Sequence, residues 1–204
     1  MAKNVLNEAE QYLLKHWEEA ALLEESMESV RAKYKEICQR VVEAVTEQHP
    51  ELDASVICLA QSWSSGDIAL GRTSWPMKEN KYPTGLWVYG LRLENLAAAD
   101  CEDPRGGIWV AKKEIAGFDF AAARSAMMAA AQTMLNPEEL RRVSPADSFD
   151  NLLWFDAPSK KEILDALIDG DGQRFVELFV SQFDFMARFI PAVNQVFQGY
   201  VTAK

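Results

Sequence analysis

Residues Asn4 to Gln48 read NVLNEAEQYLLKHWEEAALLEESMESVRAKYKEICQRVVEAVTEQ, the longest regular pattern in the chain and the one on which its architecture turns. Counted in sevens from Leu6, the a positions are Leu6, Leu13, Ala20, Met27, Tyr34 and Val41. The d positions are Ala9, His16, Leu23, Val30, Ile37 and Ala44. All but His16 are apolar or aromatic, no Gly or Pro interrupts the run, and Glu, Lys and Arg fill much of the rest. Such a pattern predicts one continuous amphipathic helix with a single apolar seam. A period of 3.5 residues further suits a helix that supercoils about a partner. Glu24 to Ser26 is the weakest point, but the phase passes through it unshifted, so an unbroken helix is expected. Two destinations for the seam are open: a homodimer through residues 4–48, or the C-terminal helices of the same chain.

Outward from the helix, the chain changes period. Pro50 ends the first pattern, and residues 53–114 hold four short β-branched or aromatic runs. These are Ser55–Gln61, Asp67–Thr73, Leu86–Leu93 and Ile108–Lys112, separated by turn clusters such as Trp63-Ser64-Ser65-Gly66 and Lys81-Tyr82-Pro83-Thr84-Gly85. They read as a small, mostly antiparallel four-stranded sheet with the third run central. Helical spacing returns over residues 119–200. Asp119 is a candidate N-cap, and Asn136-Pro137 marks a stop and a new cap. Ser159 with Glu162 fits a capping box, Gly170 a stop, Asp171 the next cap, and Pro191 a kink or restart. Val143–Pro158 reads as irregular, with Leu152, Leu153, Trp154 and Phe155 to be buried in the core or in a partner. The expected architecture is therefore α+β: a helical arm over residues 1–50 and a globular domain over 51–204, its sheet at 53–114 and a helical layer at 119–200.

Composition narrows function. The 204 residues, about half of them apolar, suffice for a substantial core. With 31 Asp and Glu against 21 Lys and Arg, the net charge of −10 opposes a phosphate-neutralising surface, so no nucleic-acid partner is expected. The acidity is spread along the chain, which suits solubility or a basic protein partner. Three cysteines without a C-x-x-C pair suggest reduced thiols in a cytoplasm. No apolar run reaches the roughly 18 residues of a membrane span, and no signal-peptide core is evident.

Motifs for chemistry are weak. His16 and His49 lack a third ligand, so no metal is expected. Asp169-Gly170-Asp171-Gly172 has the spacing of part of a calcium loop, but the loop's end positions would be Leu167 and Leu178, which carry no oxygen ligand. Cys101 lies among Asp100, Glu102 and Asp103, whose charges oppose thiolate formation. Glu79-Asn80-Lys81 has nuclease-like spacing but is bracketed by Pro76 and Pro83. No phosphate-binding, dinucleotide-binding, zinc-protease or serine-hydrolase signature occurs, so no cofactor and no catalytic residue is expected. What remains is the connection from Gln61 to Gly85, with Trp63, Asp67, Arg72, Trp75, Lys78 and Tyr82, residue types that dominate interface hot spots and line pockets. The sequence thus favours a non-catalytic cytoplasmic protein that binds another protein, as an adaptor, inhibitor or immunity-like partner. The alternative is a small enzyme or small-molecule binder with a pocket at residues 61–85, with Asp67, Arg72 and Cys101 near the ligand.

Overall fold

The computed structural model describes residues 7–59, 67–78, 82–111, 115–147 and 150–198. The side chains of residues 8, 53–59, 77–78 and 82–83 lie outside that description. The chain divides into two compact units, Met1–Glu36 and Ile37–Lys204.

The first unit is helical. Asn7 opens α1 (Glu8–Lys15) with a capping box: its side chain accepts from the Glu10 backbone N–H at 2.9 Å, and the Glu10 carboxylate accepts from the Asn7 N–H at 2.7 Å. The helix stops at His16, whose backbone (φ −118°, ψ 35°) leaves the helical range, and α2 (Trp17–Gln48) begins at the next residue. The expected unbroken helix is therefore interrupted, and at His16 rather than near Glu24–Ser26. His16 stacks beside Tyr12, with ring centroids 4.4 Å apart, and its Nδ1 lies 2.9 Å from the Glu19 carboxylate. The one polar residue of the seam is thus engaged on both sides of the break.

In the second unit, the end of α2 buries Cys38, Val41, Val42 and Val45. This i, i+3, i+4, i+7 stripe is that of a helix lying on a core. Its sheet is larger than the four strands expected. Strands β1 (Asp53–Leu59), β2 (Asp67–Gly71), β5 (Gly85–Tyr89), β6 (Arg105–Trp109), β8 (Asn151–Asp156) and β7 (Val143–Pro145) form an antiparallel sheet in that spatial order. A separate ribbon pairs β3 (Met77–Lys78) with β4 (Tyr82–Pro83). The segment Val143–Pro158, expected to be irregular, supplies the two added strands, and Leu152, Leu153 and Phe155 lie in the core of this same chain. β5 is interior, as expected, but it ends early. Gly90 takes a positive φ of 83°, a conformation that other residues adopt only under strain, and turns the chain toward a short helix, α3 (Leu93–Ala97).

One face of the sheet, carrying Ile68, Leu70, Leu86, Val88, Ile108, Leu153 and Phe155, meets α7 (Gln173–Ala187). Close approach there requires glycine: a Cβ on Gly106 would lie 2.9 Å from Met186 Sδ and 3.1 Å from Phe155 Cβ. Phe175, Phe179 and Phe183 on α7 are fully buried, as is Phe189 just beyond it, and Phe155 packs edge-on to Phe185 and Phe189. Each such ring contributes about 1.5–3 kcal/mol by leaving water. α4 (Phe120–Met134), α5 (Pro137–Leu140), α6 (Lys160–Ile168) and α8 (Ile190–Phe197) complete the helical layer. Their starts follow the sequence signals. Asp119, Asn136 and Ser159 each cap through the side chain, the last two with reciprocal Glu partners. Gly170 and Gly172 both take positive φ between α6 and α7; the N-cap of α7 is Gly172 rather than the expected Asp171, whose carboxylate accepts from Gln173 N–H at 3.0 Å. Pro191 stands in the first turn of α8, where a missing N–H is tolerated.

Candidate functional site

Among the described residues, most of the large apolar side chains that water reaches belong to the first unit. Tyr12, Leu13, Leu14, Trp17, Leu22, Leu23, Met27 and Val30 are each about half to two-thirds exposed, with Leu23 at 64 % and Met27 at 49 %. Leu13 on α1 and Leu23, Met27 and Val30 on α2 are seam positions, so the seam is open on either side of the break at His16. Tyr12 and Trp17 fall at g and e positions beside the seam, and Leu14 and Leu22, at b and c, lie farther round the helix. Trp17 flanks the seam in the sequence as well, whereas Tyr12, Leu14 and Leu22 were legible only as composition, because no repeat marks them.

The connection between β2 and β5 is placed differently. Asp67 starts β2 with only 4 % of its surface exposed, and its Oδ1 accepts from the Gly90 backbone N–H at 3.2 Å. Trp75 is equally buried, and its indole N–H donates to Asn194 Oδ1 on α8 at 2.8 Å. Arg72 donates to the same oxygen at 3.2 Å and lies over the Trp75 ring at 5.9 Å. Asn194 thus joins Arg72 and Trp75 and fixes the loop to the helical layer. A polar residue between Val193 and Phe197 on an otherwise apolar helix face was the available signal for it. Lys78 and Tyr82 are opposed in the β3–β4 ribbon, and Trp63 lies outside the described residues. Thr84 closes the loop: its N–H donates to the Pro76 carbonyl and its buried hydroxyl accepts from Ala111 N–H, both at 2.9 Å.

A depression of about 740 Å³ opens beside this loop, lined by residues that include Glu43, Glu47, Glu51 and Arg72. Asp67 and Cys101 are not among its lining residues, so the polar groups considered for an enzyme do not converge there. The second face of the sheet carries an aromatic group of Trp87, Tyr89, Trp109 and Trp154. Tyr89 is half-buried with its hydroxyl donating at 3.0 Å to Oδ1 of the buried Asn151. Desolvation pushes the phenol well above its ordinary value, and the Asp67 and Asp150 charges add to the rise. A phenol so placed stays neutral, a structural hydrogen-bond donor.

The remaining candidates have structural partners. His49 Nε2 lies 2.8 Å from Asp184 Oδ1. Lys160 Nζ donates to the carbonyls of Ala98 and Cys101 and so holds the acidic turn against α6. Arg40 donates to the Asp171 carbonyl at 2.7 Å, and a Cβ on Gly172 would meet Ile37 at 2.6 Å, so the loop spaced like part of a calcium site is a packed helix junction. Among the described residues no three or more His, Cys, Asp or Glu are grouped to hold a metal ion, and no helix is long and apolar enough to cross a membrane. No protein-family model, no curated protein and no solved structure matches the chain.

Proposed function

We propose that the protein acts by binding another protein, as a non-catalytic adaptor, inhibitor or immunity-like partner working in the cytoplasm, and that the apolar row of residues 12–30 is the contact. The observation that carries this reading is the exposure of Leu23, Met27 and Val30 along one stripe of α2, with Trp17 beside it and Leu13 exposed on α1 before the break at His16. Burying several such side chains against a partner is worth about 1.5–3 kcal/mol each, which gives the association a driving force. Aromatic and Met residues on this row are also the types enriched at interface centres. The loop carrying Arg72 and Trp75 supports it less, since Trp75 is buried against Asn194 and offers little surface to seize.

The test compares the whole protein with a variant carrying Leu23→Glu, Met27→Glu and Val30→Glu, using affinity capture from the native cell and a mass measurement in parallel. The expected result is a stoichiometric protein complex for the natural chain and its loss in the variant, with the thermal midpoint of the domain unchanged. Retention of the same complex by the variant would refute the assignment of the contact to this row.

A further inference from the structure

We infer that the occupant of the row is a second copy of this chain, paired antiparallel along α2; this rests on the protein-contact reading above and names its partner. Charge along the exposed helix is segregated by sign. Glu18, Glu19, Glu24, Glu25 and Glu28 precede Val30 in α2 with no Lys or Arg among them, and Arg31, Lys33 and Lys35 follow it before the next acid, Glu36. All eight of these side chains are exposed. Two parallel copies would set acid against acid and base against base. Two antiparallel copies set the acidic stretch of each against the basic stretch of the other, so the chain already carries the complement of its own flank.

The register follows from the seam. With Met27 opposite Val30 of the second copy, Leu23 falls opposite Tyr34, and a twofold axis between residues 28 and 29 repeats both layers. The e positions then bring Glu24 against Arg31 twice, and the g positions bring Ser26 against Lys33 twice. In a parallel pairing the flanking contact would instead join Glu19 of one copy to Glu24 of the other. The antiparallel arrangement also opposes the helix dipoles. It covers Leu23, Met27 and Val30, three of the exposed residues of the seam.

Charge exchange on the full chain tests this without disturbing the fold, because both positions are exposed. Sedimentation at about 100 µM, where micromolar association is essentially complete, should show a dimer for the natural chain. Glu24→Lys and Arg31→Glu, each alone, should weaken it about tenfold, since each turns two attractive flank pairs into repulsive ones. An equimolar mixture of the two variants should recover dimer as a heterodimer. In it the lysine introduced in one variant faces the glutamate introduced in the other, and the unchanged Arg31 of the first faces the unchanged Glu24 of the second. A tighter dimer on Glu24→Lys would indicate parallel pairing and overturn the inference, as would a dimer indifferent to both changes. A natural chain that remains monomeric overturns it too, yet leaves the protein-contact reading standing, which falls only if the complex from the native cell survives the triple Glu variant.

Discussion

The two ends of α2 carry the same apolar periodicity and meet different fates. Between Trp17 and Val30 the large apolar residues stay open, with Leu22, Leu23 and Val30 at 65 %, 64 % and 55 % exposure, whereas Val41, Val42 and Val45 are fully buried. Spacing alone does not separate the two. The composition around it does: the buried stretch adds β-branched residues at Val42 and Val45, next to the seam, and so broadens toward the stripe that a core-facing helix needs. The exposed stretch keeps a narrower seam with charged flanks, which suits a helix meeting another helix. A heptad therefore tells where an apolar face lies, and the width of that face separates the buried end of α2 from the exposed one.

Substitutions sharpen this contrast. The largest effect is expected within the domain at Phe183→Ala, which empties a fully buried ring site on α7 and should destabilise by about 3–5 kcal/mol in chemical denaturation. Val42→Ala, on the covered end of α2, should cost roughly 2 kcal/mol, for two methyl groups and the space they leave. Next comes Tyr89→Phe, which deprives the buried Asn151 oxygen of its donor and should cost about 1–2 kcal/mol. The same side chain carries a pH signature. Because the folded state holds the phenol above its ordinary value, its contribution is complete below about pH 10 and is lost as pH rises through the folded value, so stability should fall in strong alkali and fall less in Tyr89→Phe.

Smaller again is Ser159→Ala, which removes the cap of α6 and should cost about 1 kcal/mol. Glu162 is held below the usual carboxylate range by its hydrogen bonds from the Ser159 hydroxyl and backbone N–H. Its contribution is therefore present above the ordinary Glu value and disappears as pH falls through the lowered one, a loss that Ser159→Ala should reduce in acid titrations. The smallest effect should be Met27→Ala on the open end of α2, within about 0.5 kcal/mol for the dilute chain, as for surface positions generally. A loss comparable to that of Val42→Ala would erase the distinction between the two ends.

What the sequence revealed was mostly local. Asp119, Asn136 and Ser159 announce helix starts because a cap needs only its own neighbours, and Pro191 announces a restart for the same reason. The strand at Asn151–Asp156 escaped because Leu152, Leu153, Trp154 and Phe155 form a continuous apolar run, and a strand buried on both faces shows no alternation. The stop at His16 has no Gly or Pro to mark it. Of the loop residues singled out for binding, Arg72 and Trp75 are brought together, but by Asn194, 119 residues from Trp75, a pairing no local pattern carries. The apolar row was legible as a seam, while the exposure of Leu23, Met27 and Val30 was not, because a heptad carries no record of what lies against it.

On the proposed reading, side chains open in the lone chain are covered by protein where the molecule works. Hydroxyl-radical labelling of Trp17, Leu23, Met27 and Val30 inside the native cell, compared with the purified chain at high dilution, measures that coverage directly. Strong protection of these four in the cell and full reactivity in dilution are expected; equal reactivity in both settings would rule out the proposed contact.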